Sequence, residues 1–374
     1  MRHQLTVLLP VRDRAPFTRR WMTYADRVRL PFAVFVADGG ADDSVSALLG
    51  APGAFPHVDY QYRRYRPDAQ YADFYAKVAD ALSRIQTPFV ALADNDDFVV
   101  VEALASCVEF LAAHPGYSAC GGPWAWFWLA GSGVRWKAAH DGESLEAAAP
   151  SARLLALARW PGTPLYYHVR RTAELRVLFQ TIRDANLQDI FLYEQCFAFL
   201  TAIAGKTRQL DTVFVARQSN TSESVAGTHA AAHGDWLGRL LAPSWSADFS
   251  AFLEATSRAL ADREGIGDDE ARRCVIECYR MAAAPWLLAD ILREPTVTTG
   301  RALTVGWIRR LLAQAPHHPA RTLARAIYRR MPWISPDAVI GTELTATRVD
   351  SAAADIAPIE AFLTRGSTSP VGRT

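Results

Sequence analysis

The chain has 374 residues, with 40 Lys and Arg against 39 Asp and Glu, so its formal net charge is only +1. This balance gives no overall field for nucleic acid binding, and the 50% hydrophobic content indicates a globular protein of one large or two ordinary domains. Five scattered cysteines without a CxxC pair, no secretory signal and no apolar run of ~18 residues favour a reduced, cytoplasmic protein without a spanning helix.

Strand and helix patterns alternate through the first third of the chain. The predicted strands are Leu5–Leu9, Phe32–Ala37, Val58–Tyr62 and Phe89–Ala93. The predicted helices are Pro16–Val28, Gln70–Ile85 and Val101–Ala113. This alternation predicts an α/β fold with a mostly parallel sheet covered by helices on both faces. Ligands of such sheets bind beyond the carboxyl ends of the strands, where Pro10, Asp38 and Asp94 stand in this sequence.

The rest of the chain divides into a mixed section and a helical section. Further predicted strands are Leu165–Val169 and Gln209–Ala216, and further predicted helices are Ser144–Arg159, Asp189–Ala204, Ala247–Arg263, Asp268–Leu292, Arg301–Ala315 and Pro319–Met331. We therefore expect an α/β domain over residues 1–234, a helical C-terminal subdomain over 235–334, and a poorly patterned tail over 335–374 whose last ten residues are disordered.

A cluster of carboxylates follows the fourth predicted strand, in the run Asp94-Asn95-Asp96-Asp97. Unpaired buried carboxylates are costly and adjacent ones repel, so packing alone would avoid this arrangement. A hard divalent cation such as Mg²⁺ or Mn²⁺ removes both problems and is often shared with substrate phosphates. We predict metal binding by Asp94 and Asp96, with an ordinary acidic turn as the alternative.

Two further polar residues extend this prediction. Asp38 ends the second strand before Gly39-Gly40, where a carboxylate can accept a hydrogen bond from a nucleobase, although a turn or helix cap is the alternative. Lys77 is predicted on the polar face of its helix, one turn from Asp73 and near Asp80. It is placed to neutralise a diphosphate or to form a surface ion pair, and the sequence leaves both open.

Three motifs in register resemble the family-2 glycosyltransferases of the GT-A fold. They are the opening strand Leu5–Val11, the turn Val36–Ser44 and the strand with its acidic end, Phe89–Asp97; Pro164–Arg171 and Tyr193-Glu194-Gln195 resemble later family elements. The resemblance covers roughly residues 4–220 and implies a GT-A-like, Rossmann-like mixed sheet.

The resemblance also implies roles for individual residues. Asp38 would contact the base, Asp94 the ribose or the metal, and Asp96 the metal, while Pro10, Val11, Arg12, Lys77 and Asn95 would line the nucleotide-sugar site. Glu194 stands where the catalytic base stands, and Asp189 is its rival. Ala37, Gln195 and Ser219 depart from the family pattern, so the third metal ligand stays open, with His229 and His233 as alternatives.

Two other patterns concern the acceptor and the membrane. Trp124, Trp126 and Trp128 alternate, so on a strand they would share one face, which either stacks on an acceptor sugar or packs against the C-terminal helices. The arginines at 321, 325 and 329 have helical spacing and form either a solvated face or a peripheral contact with anionic lipid.

Together these features predict a glycosyltransferase that moves a sugar from a nucleotide-diphosphate donor to a hydroxyl of a glycan or lipid-linked acceptor. We expect inversion, help from Mg²⁺ or Mn²⁺, and a role in polysaccharide biosynthesis at the bacterial cell surface. The alternatives are a retaining transferase, a sugar-1-phosphate nucleotidyltransferase, and a non-catalytic nucleotide- or glycan-binding module. A dehydrogenase is disfavoured because no G-x-G-x-x-G follows a strand.

Overall fold

The structure is a computed structural model that describes residues 4–130, 133–140, 142–159, 165–219, 236–291 and 349–366. Its strands are β1 Leu5–Val11, β2 Ala33–Asp38, β3 Tyr60–Arg64, β4 Phe89–Leu92, β5 Phe98–Val99, β6 Tyr117–Gly121, β7 Trp124–Ala130, β8 Gly133–His140, β9 Val169–Arg171, β10 Lys206–Gln209 and β11 Val215–Gln218. Its helices are α1 Ala15–Arg27, α2 Ser44–Gly50, α3 Tyr71–Arg84, α4 Val101–Ala113, α5 Pro150–Arg159, α6 Thr172–Ala185, α7 Ile190–Ala204, α8 Trp236–Leu240, α9 Trp245–Glu264, α10 Asp268–Ile291 and α11 Val349–Gly366.

Within the described residues, the central sheet has seven strands in the order β10-β6-β9-β4-β1-β2-β3. Neighbouring strands are parallel except that β9 runs antiparallel to both β4 and β6. The predicted α/β class with a mostly parallel mixed sheet is confirmed. Helices cover both faces, as a parallel sheet requires.

The apolar run of β1 shows why this sheet forms. Leu5, Val7 and Leu9 pack into the core on one face, whereas Leu8 packs into the core on the other. A strand buried on both faces has no polar side to alternate with, which explains its continuous hydrophobic sequence. The same holds for β4, whose four residues are all buried.

A second sheet of four strands, in the order β5-β11-β7-β8, lies beside the carboxylate run. Its inner face contributes Phe127 and Trp136 to a core that also contains Phe362 of α11. The predicted strand Gln209–Ala216 is wrong as one element, because a turn at Asp211-Thr212 divides it between the two sheets. The predicted helix from Ser144 starts only at Pro150, and the strand predicted over Leu165–Val169 is found at Val169–Arg171.

The helices α9 and α10 pack on α7 and α5 and share a core cluster with the central sheet. Phe252 of α9 is fully buried, with its ring centroid 5.4 Å from that of Phe199 and 5.5 Å from that of Tyr279. The predicted helices over 301–315 and 319–331, and the last eight residues, lie outside the described residues. Helix α11 lies in the segment 335–374, for which the sequence predicts little regular structure.

Among the helices of the described residues, none combines the length and the apolar character that crossing a bilayer requires.

We predict that Gly121→Ala destabilises the fold, because an added Cβ would overlap with the imidazole ring of His168, which is only 1% exposed. Overpacking of this kind costs about 2 kcal/mol of unfolding free energy, measurable by urea denaturation. Gly116→Ala is the control, since its Cβ would meet open space. Equal stability of the two variants would contradict the packing described for β6.

Candidate functional site

The carboxyl ends of β1, β2 and β4 lie side by side at one edge of the central sheet. Val11 pairs with Asp38 in the register of β1 and β2, and Leu8 pairs with Leu92 in that of β1 and β4. The chain leaves β4 at Ala93, whose amide donates to the carbonyl of Leu8 over 3.0 Å. This register brings the turn after Asp38 and the carboxylate run after Ala93 to the same edge.

Three carboxylates form the centre of the site, and we call Asp94, Asp96 and Asp97 the acidic cluster. Each has an oxygen within 4.8 Å of an oxygen of the others. The hydroxyl of Tyr167 lies 2.8 Å from Asp94 Oδ2 and 2.7 Å from Asp97 Oδ2. The single proton of this hydroxyl can be donated to only one of the two carboxylates at a time, and Asp97 Oδ2 also lies 3.3 Å from Arg217 Nε.

The pKa values of the acidic cluster reflect the burial and the crowding of its carboxylates. Burial, together with the charges of Asp96 and Asp97, raises the pKa of Asp94 to about 7. Burial also raises the pKa of Asp97, against the opposing charge of Arg217. An all-carboxylate set suits Mg²⁺ or Mn²⁺, and a divalent cation would relieve the repulsion that raises these pKa values. The residues present therefore fit a hard cation.

Arginines from distant parts of the chain neutralise this cluster. Arg14 Nη2 lies 3.1 Å from Asp96 Oδ2, and Arg217 Nε lies 3.3 Å from Asp97 Oδ2. Arg20 donates to the backbone carbonyl of Asp96 over 3.0 Å, and its burial lowers its pKa to about 10. A cation bound by Asp96 would therefore compete with Arg14. Sequence analysis missed these arginines and Tyr167, because only the tertiary structure brings them to the cluster.

Asp38 is fully buried and already has three donors. It accepts hydrogen bonds from Tyr62 Oη at 2.7 Å, Arg64 Nη1 at 2.9 Å and the Gly40 amide at 2.8 Å. Contact with a base would therefore require a change of partner at Oδ2. The position of Asp38 at the end of β2 follows the prediction, and its contact with a nucleotide stays a prediction.

Lys77 and Asn95 are both buried and have hydrogen-bond partners within the protein, and their contact with a nucleotide sugar stays a prediction. The placement of Lys77 on an exposed polar face is wrong, because it is 2% exposed, forms an ion pair with Asp68 and donates to the carbonyl of Val11 over 2.9 Å. Helical periodicity predicted exposure, but the ammonium group of Lys77 can be buried because its ion pair with Asp68 offsets the cost of desolvation. Arg12 Nη1 donates to the carbonyl of Asp68 over 3.2 Å. Asn95 is buried and donates to Thr18 Oγ1 over 3.0 Å, toward α1.

The two predicted catalytic carboxylates have different surroundings. Asp189 caps α7 by accepting from the amides of Phe191 and Leu192, and its other oxygen accepts from Arg239 Nε over 2.9 Å. These contacts suit a structural role. Glu194 has a solvent-exposed side chain, and it accepts no hydrogen bond among the described residues.

The side chain of Glu194 is exposed to solvent although protein atoms surround it closely. This environment raises its pKa, while the charges of Arg217 and Arg239 act in the opposite direction. A carboxylate with a raised pKa and no partner is suited to accept a proton. Arg217 also contacts Asp97. Its positive charge therefore acts on both Glu194 and the acidic cluster.

The tryptophans predicted for the acceptor lie beside this site. The guanidinium of Arg217 stands 4.8 Å from the ring centroid of Trp124 and 4.9 Å from that of Trp126. The ring of Tyr167 is 5.3 Å from the same group. Ser219 pairs through its amide with the carbonyl of Phe127, and the two alternative ligands His229 and His233 lie outside the described residues.

No protein-family model matches the chain, and no curated protein matches it significantly. Solved structures that match the chain include S. aureus TarS 1-349 in complex with UDP (13% identity, TM-score 0.48, 99% of this chain and 93% of that chain). Others are S. aureus TarS 1-349 (15%, 0.44, 76% and 91%) and the mannosyltransferase PcManGT from Pyrobaculum calidifontis in complex with GDP-Man and Mn²⁺ (14%, 0.43, 96% and 86%). All these TM-scores are below 0.5, so no activity is assigned to this chain from them.

We predict that Asp94→Asn stabilises the protein at pH 8 more than at pH 5 when divalent cations are chelated. The pKa of Asp94 in the fold, about 7, exceeds the ordinary value of 3.8, so the folded state binds the proton more tightly. The contribution of Asp94 to the stability of the fold is therefore greatest at low pH and is lost as the pH rises through the folded-state pKa of Asp94. Asparagine cannot titrate, so urea denaturation at both pH values should show a difference that grows with pH. A constant difference would contradict the proposed electrostatics.

Proposed function

We propose that this protein is a GT-A-like, metal-assisted glycosyltransferase that uses a nucleotide-diphosphate sugar as donor and a hydroxyl group as acceptor. The acidic cluster, with one Tyr167 hydroxyl between two carboxylates, is the observation that supports it best. Its place beside the ends of β1 and β2 puts it where ligands of such sheets bind.

In this proposal Asp94 and Asp96 hold the cation, and Asp97 keeps its contacts with Arg217 and with the amide of Gln218 at 2.9 Å. The cation, when bound, stabilises the charge that develops on the departing diphosphate. With Asp96 engaged by a cation, Arg14 would be available to bind the phosphates of the donor. Asp38 gives up its hydrogen bond from Tyr62 or from Arg64 and accepts one from the nucleobase instead. The backbone of Pro10, Val11 and Arg12 borders the nucleotide.

Glu194 acts as the general base in the transfer. Its carboxylate takes the proton from the acceptor hydroxyl as that oxygen attacks the anomeric carbon, and the nucleoside diphosphate leaves from the opposite face. This sequence inverts the anomeric centre. In the retaining alternative on the same fold, Glu194 orients the acceptor instead, and NMR of the product linkage distinguishes the two.

The non-catalytic alternative, a nucleotide- or glycan-binding module, is favoured by one observation. Arg14 already neutralises Asp96, and Tyr62 and Arg64 already donate hydrogen bonds to Asp38, so these two carboxylates have partners without a ligand. We include in the proposal the cytoplasmic location, the polysaccharide pathway and peripheral membrane contact through the arginines at 321, 325 and 329, which lie outside the described residues.

We predict that calorimetric titration with UDP-, GDP- and CMP-sugars identifies a donor whose affinity requires Mn²⁺ or Mg²⁺. Asp96→Ala should weaken metal-dependent donor binding by about tenfold or more, because it removes a charged ligand. Asp80→Ala is a control, since this carboxylate binds Tyr65 and Arg84 outside the acidic cluster. Failure of every nucleotide sugar to bind would contradict the proposal.

We predict that Glu194→Gln lowers donor hydrolysis and transfer by about 10²-fold or more, with little change in donor affinity, because a general base acts in the chemical step. Glu277→Gln is the matched control, as this exposed carboxylate pairs with Arg280 on α10. Normal turnover in Glu194→Gln would remove this residue from the role of base.

A further inference from the structure

The four-stranded sheet has one buried face and one face that is partly open. Ala125 and Phe127 of β7 are buried on the inner side, where α11 covers the sheet. Trp124, Trp126 and Trp128 alternate with these buried residues and point outward, and the side chain of each is half-buried. We call this outer surface the tryptophan face; it consists of Trp124, Trp126, Trp128, Arg135, Lys137 and Arg217.

Strand pairing places cations directly beside these indoles. Lys137 of β8 is the partner of Trp126, and Arg135 is the partner of Trp128. Paired residues of adjacent strands project from the same side of a sheet, with Cβ atoms about 5 Å apart. Arg135 and Lys137 are exposed, and neither forms an ion pair or a side-chain hydrogen bond within the described part of the chain. Their charges are therefore available to a ligand.

The tryptophan face continues into the candidate active site. Arg217 is the register neighbour of Trp126 on β11, and its guanidinium lies over the rings of both Trp124 and Trp126. The same guanidinium contacts Asp97 of the acidic cluster. A ligand on the tryptophan face would thus extend to the place where the sugar is transferred.

We propose that the tryptophan face binds the acceptor and that this acceptor is an anionic oligosaccharide. Sugar rings stack on the indoles, and the negative groups of the oligosaccharide pair with Arg135 and Lys137. This inference rests on the proposed function, because it assigns the acceptor side of that reaction. It goes further by identifying the acceptor as negatively charged and by adding Arg135 and Lys137 as specificity residues.

A lipid surface is the competing ligand, since tryptophan with basic residues also occurs at membrane interfaces. Two observations favour the oligosaccharide. The indoles are half-buried, and two of them are held by a guanidinium instead of projecting from the surface. The face also leads to the acidic cluster, which a bilayer lying on the sheet would cover.

The test measures binding to the full chain, without donor, by tryptophan fluorescence and calorimetry. The probes are an oligogalacturonate, a phosphorylated malto-oligosaccharide and a neutral malto-oligosaccharide of equal length. We expect at least one anionic probe to bind about tenfold more tightly than the neutral one, with an affinity that falls as salt is added. The two anionic probes distinguish carboxylate from phosphate as the preferred charge.

The variants locate that binding. R135A/K137A should weaken the preferred anionic probe by about tenfold, because two unpaired surface cations are lost. The control R258A/R280A removes the same charge from exposed positions on α9 and α10, and should change the affinity less than about twofold. Circular dichroism checks that both variants fold as the wild type does.

Several results would overturn the inference. They are equal affinity for neutral and anionic probes, equal losses in the two double variants, and binding to phosphatidylglycerol vesicles but to no oligosaccharide. The donor titration separates this inference from the proposed function. A wild-type protein that binds a nucleotide sugar but no anionic oligosaccharide refutes the acceptor assignment alone, and the reverse pattern refutes the transferase proposal.

Discussion

Three carboxylates gathered at the end of a buried strand impose the main electrostatic constraint on this molecule. Their mutual repulsion and loss of hydration raise the pKa of Asp94 and Asp97, and the surrounding structure must compensate. It does so with one tyrosine hydroxyl and with arginines from the β1–α1 region and from β11. In a cluster held by such contacts, a bound cation can replace an arginine, because both neutralise the same carboxylate.

Arg217 connects this acidic cluster with the second sheet. It contacts Asp97, lies over Trp124 and Trp126, and is close enough to Glu194 for its charge to oppose the rise that burial causes in the pKa of that carboxyl. One side chain therefore links the candidate metal site, the candidate base and the aromatic surface. Because a guanidinium can hydrogen-bond in its plane and stack on its faces, arginine suits this position better than lysine.

The scaffold around the site depends on packing from both sides of the central sheet. The helices α9 and α10 complete the core on the face formed by α5 and α7, while α11 completes the core beneath the second sheet. Segments far along the chain thus support β4 and β7, which present the functional residues. The site is built at the edge of the sheet, where backbone register fixes the distances between strand ends.

The amino-acid sequence alone was enough to predict the alternation of strands and helices, the parallel sheet and the meeting of Pro10, Asp38 and Asp94 at one edge. These follow from local apolar periodicity and from the rule that parallel strands end together. The partners of the charged groups, in contrast, depend on how the whole chain folds. Lys77 turned inward to Asp68, Asn95 to Thr18 and Asp189 to Arg239, while Glu194 stayed open to solvent. Such pairings join residues far apart in the chain, and the energy of a buried charge depends on the partner that folding brings to it.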